Sequence, residues 1–405
     1  MWLSDSWVRM IVSEVTGRSI HVTAGSLMSL SGYSNEAVEA NVYVIGLATH
    51  PASAREQELR LEEVVYRTSR AALDDAGVSR RQLDSVTLGA CDELDGRPIS
   101  SMLMAAPSGG YMTDEIKVTE SGASALCLGY ARFLAGGAQL GLVASWCKSS
   151  KTDVDAVMRL RAEPFYARPL GLDRTVTDGL FAQAVRESLE VNEAEVTRRV
   201  VAAYIRAARN PRGRQHPVPS PDDVARSNFT ATPLRAAHHA PLSDGAVSLV
   251  LASGAFVKAN PACRPLARIA GAGWATDSYR LDRERLSSMK SARTAWQAAL
   301  HSAGLRSAEE LDVIELDSQT GYHEAAYVRA FAIDDVDSVS PSGGPFSQNP
   351  LFCTGLVNAA EAIRQVAGNA GPVQRVGAKR AAAHGCHGYA QQGNVVMVFE
   401  AVGAS

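Results

Sequence analysis

From residue 42 onward, short apolar runs alternate with segments whose apolar residues recur at helical spacing. The helical segments are exemplified by Leu61, Val64, Val65, Thr68 and Ala72, which fall on one helix face. The runs predicted as strands are residues 42–45, 86–88, 142–144, 246–253, 313–316 and 395–398. Strands that alternate with helices predict an α/β fold, in which helices lie between and outside layered sheets.

The chain also contains an internal repeat. AALDDAGVSRRQLDSVTL at residues 71–88 resembles AALHSAGLRSAEELDVIEL at residues 298–316. The string Pro-Ser-Gly-Gly at 107–110 recurs at 341–344, and a helical run follows each copy, from Gly122 and from Thr354. Three correspondences in the same order indicate a duplication. We therefore predict two similar α/β halves, at residues 42–252 and 265–402.

Two stretches do not match this repeat. Residues 149–240 are rich in Arg, Pro and His, and we predict that they form an insertion that covers one face of the first half. Residues 1–41 have no counterpart in the second half and are predicted to be an N-terminal extension.

Composition excludes several classes of function. The 405 residues are 46% apolar and 20% charged, which excludes a chain that is mainly disordered. The net charge of −3 gives no general attraction to nucleic acid or to an anionic membrane. No run approaches the ~20 apolar residues of a membrane-spanning helix. Six scattered cysteines without a CxxC pair favour reduced thiols in a cytoplasmic protein.

Several local strings resemble those of the thiolase superfamily, in particular of the sterol-carrier-protein type. They are LSDGAVSLVL at 242–251, Asn-Pro at 210–211, SPSGG at 340–344 and NPLFCTGL at 349–356. The resemblance covers about residues 42–402. It implies a thiolase-like fold with α-β-α-β-α layers and an insertion over the active site. It also implies a homodimer that acts on acyl-CoA or acyl-carrier thioesters, with no cofactor beyond the CoA of the substrate.

The sequence departs from this family at its reactive positions. The family string Val-Glu-x-x-Cys-Ala-Ser aligns with residues 118–124, which places Gly122 at the nucleophile, or Ser121 if the register slips by one. Asn349 and Asp317 stand where the resemblance implies two histidines. Glycine cannot be acylated, asparagine cannot accept a proton, and aspartate is a weak base for a serine hydroxyl. These substitutions argue against acyl transfer through a cysteine of this chain.

Reactive groups remain near the C-terminus, in the string HGCHG, where the family has its proton-shuttling loop. Asn349 and the backbone N–H groups at residues 122–124 would hold the enolate oxygen of a thioester. His384, Cys386 or His387 would then move the proton. The leading hypothesis is therefore carbon–carbon bond formation or cleavage without a covalent intermediate, of the aldol, retro-aldol or Claisen type.

Residues next to these strings are further candidates for the site. We predict that Ser121, Gly122, Tyr322, His323, Gly343 and Gly344 contribute to substrate binding. Since no second ligand pair at zinc spacing accompanies the HGCHG string, no metal site is predicted.

Two alternatives stay open. In the first, the chain is a non-catalytic thioester-binding or scaffold subunit of an acyltransferase complex. Its partner, a small zinc-ribbon/OB-fold protein or a cysteine-bearing ketosynthase, would then supply or accompany the missing cysteine. In the second, Ser121 itself is acylated.

Overall fold

The computed structural model describes residues 41–96, 99, 101–119 and 121–403, so that most of the predicted N-terminal extension, residues 1–40, lies outside the described residues. The strands are β1 (Val42–Thr49), β2 (Ser85–Ala90), β3 (Asp114–Thr119), β4 (Leu140–Cys147), β5 (Phe229–Ala231), β6 (Leu234–Arg235), β7 (Gly245–Ser253), β8 (Ala267–Thr276), β9 (Val313–Glu315), β10 (Arg380–His387) and β11 (Gly393–Glu400).

The helices of the described residues lie singly or in groups between these strands along the chain. They are α1 (Leu61–Ala76), α2 (Asp92–Asp95), α3 (Ser101–Met104), α4 (Gly122–Leu134), α5 (Val154–Arg161), α6 (Arg174–Ser188), α7 (Glu193–Ala208), α8 (Pro221–Arg226), α9 (Gly254–Ala259), α10 (Arg283–Ser288), α11 (Lys290–Ser302), α12 (Gly321–Ala330) and α13 (Thr354–Val366). In the part of the chain that the structure describes, no helix is both long and apolar enough to cross a membrane.

Nine strands form one mixed sheet, in the order β3-β2-β4-β7-β1-β8-β11-β10-β9. From the central pair of β1 and β8 outward, the two sides repeat the same pattern. On one side β1, β7 and β4 are antiparallel neighbours and β4 pairs with β2 in parallel. On the other side β8, β11 and β10 are antiparallel and β10 pairs with β9 in parallel. This symmetry is what an internal duplication predicts, while the boundaries 42–252 and 265–402 stay a prediction.

Glycines at corresponding positions of the repeat adopt the same conformation. Gly77 and Gly304 follow the ends of α1 and α11 with φ of 67° and 72°. Gly109 and Gly343, the third residues of the two Pro-Ser-Gly-Gly strings, have φ of 88° and 87°. A left-handed backbone is accessible to glycine at little cost. Both turns of the repeat therefore keep glycine for a conformational reason.

The sheet is buried on both faces. In β1, Val42 and Val44 pack in the same cluster as α4 and α13, whereas Ile45 packs with α1. In β11, Val395 faces α4 and α13, and Val396 faces the other side, with α11 and α12. Because alternate side chains of one strand face two apolar layers, the strands read as continuous apolar runs. Helices α4 and α13, one from each half, share one apolar layer.

The insertion packs differently from the expectation. Its helices α6 and α7 contact α12 of the second half, not a face of the first half alone. An apolar stripe on α7 that includes Val196 and Val200 lies against Gly321 at the start of α12. A Cβ at Gly321 would lie 2.8 Å from Val196 Cγ1, so glycine permits the close contact. This packing brings α6 next to β10.

Candidate active site

Helix α4 begins where the resemblance places the nucleophile. Ser121 caps it, with the side-chain oxygen accepting a hydrogen bond from the Ser124 N–H at 3.3 Å. A Cβ built on Gly122 would lie 2.6 Å from Ser145 Oγ and 2.9 Å from Leu356 Cβ. Carbon atoms do not approach that closely in packed proteins. Position 122 therefore has no room for a side chain.

The close packing continues into the neighbouring helix and strand. Gly355 at the start of α13 and Gly385 in β10 face each other across Ala123. A Cβ on Gly355 would lie 2.8 Å from Ala123 Cβ, and one on Gly385 would lie 2.6 Å from it. The beginning of α4, the beginning of α13 and strand β10 therefore meet almost backbone to backbone.

Asn349 is held in a network of side-chain amides. Its Nδ2 donates to Gln319 Oε1 at 2.9 Å and to the Ala240 carbonyl at 3.3 Å. Its Oδ1 accepts from Gln319 Nε2 at 3.0 Å and from Thr354 Oγ1 at 2.8 Å. The amide that was expected to hold an enolate oxygen therefore makes its hydrogen bonds within the protein.

Asp317 connects this network to β10. Its Oδ1 accepts from Gln319 Nε2 at 2.6 Å, and its Oδ2 accepts from the Cys386 N–H at 3.0 Å. The residue is 1% exposed, and burial raises the pKa of Asp317 to about 6, against the opposing effect of these hydrogen bonds. A carboxyl with a pKa near neutrality can both give and take a proton at physiological pH.

The thiols near this region are poor nucleophiles. Burial raises the pKa of Cys386 and of Cys147 well above the usual value, and raises the pKa of Cys353 to about 12. A cysteine attacks as its thiolate, and burial in apolar surroundings disfavours that form. All three side chains are therefore neutral thiols at physiological pH.

His384 lies behind the network, on the apolar side. Its Nε2 is 2.8 Å from Asn394 Oδ1, and its Nδ1 accepts a 3.4 Å hydrogen bond from the Asp317 N–H. Its ring packs edge-on against Tyr327, with centroids 4.4 Å apart. Burial lowers the pKa of His384 to about 4, so the ring is neutral. The predicted proton transfer by His384 stays a prediction, which this enclosed position does not favour.

A cavity of about 50 Å³ lies beside Asp317, where β10, α6 and α12 meet. The residues that line it are Met158, Arg174, Thr177, Asp178, Asp317, Gln319, His323, Leu351, Phe352, Cys386, His387, Gly388, Tyr389, Ala390 and Gln391. The structure thus brings four predicted site residues together around one space, namely Asp317, His323, Cys386 and His387.

The other predicted site residues do not line this cavity. They are Ser121, Gly122, Tyr322, Gly343, Gly344, Asn349 and His384. Tyr322 packs against His238, with ring centroids 5.9 Å apart. Gly343 lies against Ala207 of α7, where a Cβ would approach the helix backbone to 2.5 Å. Gly343 and Gly344 therefore form a tight turn that packs against helix α7 of the insertion.

Two cavity residues that sequence reasoning missed come from α6 of the insertion. Arg174 and Asp178 are one helical turn apart, with Nη1 and Oδ2 separated by 3.9 Å. Burial raises the pKa of Asp178 to about 6, and the nearby guanidinium opposes that shift. A sequence signal exists, because Asp178 lies on the same buried helix stripe as Phe181, Ala182 and Val185. A carboxylate on an apolar stripe marks a functional candidate.

His323 completes this side of the cavity. Its Nδ1 is 2.8 Å from Thr320 Oγ1, and its ring stacks on Phe181 at 4.5 Å. Its Nε2 lies 3.9 Å from Asp178 Oδ1, and burial lowers the pKa of His323 to about 3. The imidazole is therefore neutral. Among the described residues, no group of three or more His, Cys, Asp and Glu side chains could hold a metal ion.

Two arginines of the insertion form ion pairs with glutamates of the second half. Arg212 forms two hydrogen bonds with the buried Glu361, at 2.8 and 2.6 Å. Arg206 donates to Glu324 of α12 at 3.1 Å. Bidentate and charge-assisted bonds of this kind fix geometry. These arginines therefore attach the insertion to the second half.

Comparisons with solved structures show which known fold this architecture matches. Human mitochondrial 3-ketoacyl-CoA thiolase superposes with a TM-score of 0.73 at 17% identity, over 90% of this chain and 100% of that one. Its complex with CoA gives a TM-score of 0.74 at 16% identity, over 90% and 99% of the two chains. The chain has the thiolase fold. The predicted α/β class with thiolase-like layers is thereby confirmed.

A curated relative extends the comparison to sequence. The chain is 25% identical over 392 residues to sterol carrier protein 2 of Gallus gallus, covering 86% of this chain and 70% of that protein. No protein-family model matches the chain. The thiolase fold and this sequence similarity agree with the resemblance carried by the local strings.

The packing around position 122 is testable by mutation. Gly122→Ala should lower the free energy of unfolding by about 1–3 kcal/mol, because the new methyl group overlaps Ser145 and Leu356. Urea denaturation measures the effect. Ser145→Gly removes one of the clashing side chains, so the double variant should lose less than the sum of the single losses. Strictly additive losses would contradict this packing.

The raised pKa of Asp317 predicts a pH dependence. The folded protein binds this proton more tightly than the unfolded chain, because the pKa is about 6 in place of the usual 3.8. The stability contributed by protonation is therefore present at low pH and lost as the pH rises through 6. We compare unfolding free energies of the wild type and Asp317→Asn in urea at pH 4.5 and pH 7. The free energy of unfolding of the wild type, minus that of Asp317→Asn, should fall by about 2 kcal/mol from pH 4.5 to pH 7.

The comparison at two pH values cancels any constant cost of altered hydrogen bonds in Asp317→Asn. A difference between the two proteins that stays constant from pH 4.5 to pH 7 would show that Asp317 titrates at its ordinary value.

Proposed function

We propose that this protein forms or cleaves a carbon–carbon bond of an acyl thioester without a covalent acyl-enzyme. The observation that carries the proposal is the combination of a closed nucleophile position and a nearby cavity that two buried carboxyl groups line. Position 122 has no space for a side chain, whereas buried carboxyls with pKa values near 6 line the cavity. Acid–base groups without a nucleophile suit proton transfer and enolate chemistry.

The thioester substrate class rests on the similarities. The chain shares its fold with a 3-ketoacyl-CoA thiolase that has been solved in complex with CoA. It also shares 25% of aligned residues with a sterol carrier protein. Fold alone does not determine chemistry, so the substrate class is part of the proposal.

Asp317 is the proposed carrier of the substrate α-proton. Its carboxyl faces the cavity, and both of its oxygens are oriented by the Gln319 amide and the Cys386 N–H. With a pKa of about 6, it can donate to, or accept from, a carbon next to a thioester carbonyl. Cys386, a neutral thiol beside it, is proposed to line the pocket rather than to attack.

The substrate chain needs more space than this cavity offers. A groove of about 570 Å³ is lined by residues 163, 166, 167, 170 and 172 and by residues 279–282. Its residue Leu172 lies two positions before Arg174 in the sequence. Tyr166 and Leu170, exposed by 72% and 75%, give this groove an apolar wall. We propose that it accommodates the acyl or pantetheine portion of the thioester, while the cavity holds the reacting carbons.

Turnover tests this proposal. Purified protein is incubated with β-hydroxyacyl-CoA and, separately, with β-ketoacyl-CoA, and the shortened acyl-CoA and released carbonyl compound are quantified by chromatography. Asp317→Asn should lower the rate by about a hundredfold or more, the usual contribution of a general acid or base. Asp334→Asn, an exposed carboxylate outside the cavity, is the matched control and should keep the wild-type rate.

Equal rates in the wild type and in Asp317→Asn would contradict the role of Asp317. Binding of acyl-CoA without any turnover would favour the alternative of a thioester-binding subunit. In that case a zinc-ribbon/OB-fold protein or a cysteine-bearing ketosynthase should restore activity when added. The predicted homodimer can be measured in the same preparations by light scattering.

A further inference from the structure

Helix α6 presents a buried carboxyl group and a half-buried guanidinium group to the cavity, and both have atoms without a hydrogen-bond partner. Arg174 Nε and Nη1, and Asp178 Oδ2, have no hydrogen-bond partner among the residues that the structure describes. The Asp178 side chain is 7% exposed, and that of Arg174 is 17% exposed. Their closest approach, 3.9 Å, is too long for a direct hydrogen bond. The two charges attract each other at this distance, but the atoms still lack hydrogen bonds, and such unsatisfied groups call for an explanation such as a bound ligand.

Two neighbours of the pair, Asp173 and His323, do not satisfy it. A third, Asp155, raises the pKa of Asp178 by its charge, and its own Oδ1 is buried without a hydrogen-bond partner among the described residues. Asp173, next in sequence to Arg174, caps α6 through the Val176 N–H and lies 3.4 Å from Arg159. It is therefore not a substitute partner for the guanidinium. His323 is neutral, and its Nε2 lies 3.9 Å from Asp178 Oδ1, which is also beyond hydrogen-bond distance. The unsatisfied donor and acceptor face the same space.

Arg174 and Asp178 together favour one kind of ligand group over others. Arginine offers donors only, whereas a carboxylate offers acceptors only. A ligand carboxylate would satisfy Arg174 and be repelled by Asp178, and a ketone oxygen would leave Asp178 unpaired. A hydroxyl group accepts from one side and donates to the other. The donor–acceptor pair is therefore complementary to an alcohol.

We propose that Arg174 and Asp178 bind the β-hydroxyl group of a β-hydroxyacyl thioester, with the proton donated to Asp178 and the oxygen held by Arg174. This inference rests on the proposed function and narrows its substrate class. It assigns the reaction to retro-aldol cleavage and to the reverse aldol addition.

The step balances without an added reactant. Asp178 takes the hydroxyl proton, and the oxygen electrons form the new C=O bond. The bond between the α- and β-carbons breaks, and its electron pair becomes the enolate of the thioester. The α-carbon of the enolate then receives a proton from Asp317, giving one carbonyl compound and one shortened thioester. Arg174 stabilises the negative charge on the β-oxygen while the bond breaks.

Ligand preference is the direct test. Dissociation constants of β-hydroxyhexanoyl-CoA, β-ketohexanoyl-CoA and hexanoyl-CoA are measured by competition against a fluorescent CoA analogue, and cleavage is quantified in the same samples. The wild type should bind the hydroxy compound about tenfold to a hundredfold more tightly than hexanoyl-CoA, the range that hydrogen bonds to charged groups give. The keto compound should show no such advantage.

Two variants test whether the preference for the hydroxy compound depends on Arg174 and Asp178. Arg174→Gln and the isosteric Asp178→Asn should each remove most of the preference while keeping the affinity for hexanoyl-CoA. Arg186→Gln changes an exposed arginine of the same helix and should keep the preference. Retained binding of hexanoyl-CoA shows that a variant is folded, so loss of preference is not mistaken for unfolding.

The two proposals fail separately in this experiment. A wild type that binds all three thioesters equally, or variants that keep the wild-type preference, would overturn the assignment of Arg174 and Asp178. A hydroxyl preference that depends on both residues, in the absence of any cleavage, would uphold this assignment and count against the proposed catalytic function.

Discussion

The arrangement of this site depends on close backbone packing where α4, α13 and β10 meet. Gly355 and Gly385 lie so close to each other and to Ala123 that an added Cβ at either would fall within 3.0 Å of another atom, and an added Cβ at Gly122 would do the same against Ser145 and Leu356. Protein interiors tolerate little overlap of this kind. The space for a nucleophile at the helix terminus is therefore already occupied, and the cavity lies beside it.

Two buried carboxyl groups line the cavity beside this packing. Asp317 reaches it from the end of β9, and Asp178 reaches it from the insertion helix α6. Burial raises the pKa of both carboxyls to about 6, because the charged form loses hydration. The insertion is thus more than a cover. By packing on α12, it adds an arginine and a carboxyl to a cavity whose other lining residues come from the second half, apart from Met158 and Thr177 of the insertion itself.

The sequence allowed most of the fold to be predicted, because the signals are local. The apolar runs appear in the structure as strands, and the helical runs predicted from Gly122 and from Thr354 appear as α4 and α13, because each depends on neighbouring residues. The placement of the insertion could not be predicted, since it depends on contacts between distant segments such as Val196 with Gly321.

The candidate site was predicted in part for the same reason. Asp317 and Cys386 were found because short strings mark them, and in the structure the Cys386 N–H and thiol both donate to Asp317. Arg174 and Asp178 were missed because their importance comes from burial after the insertion folds. The sequence also could not show that the Asn349 amide is already engaged. Its hydrogen bonds to Gln319 and Thr354 form only when the chain has folded.

A reaction without a covalent intermediate leaves no acyl group attached to this protein. Intact-protein mass spectrometry of samples quenched with acid during incubation with β-ketoacyl-CoA and β-hydroxyacyl-CoA detects any such group. We expect the unmodified mass at every time point. A mass increase equal to an acyl group, mapped by peptide analysis to a cysteine or to Ser121, would contradict it.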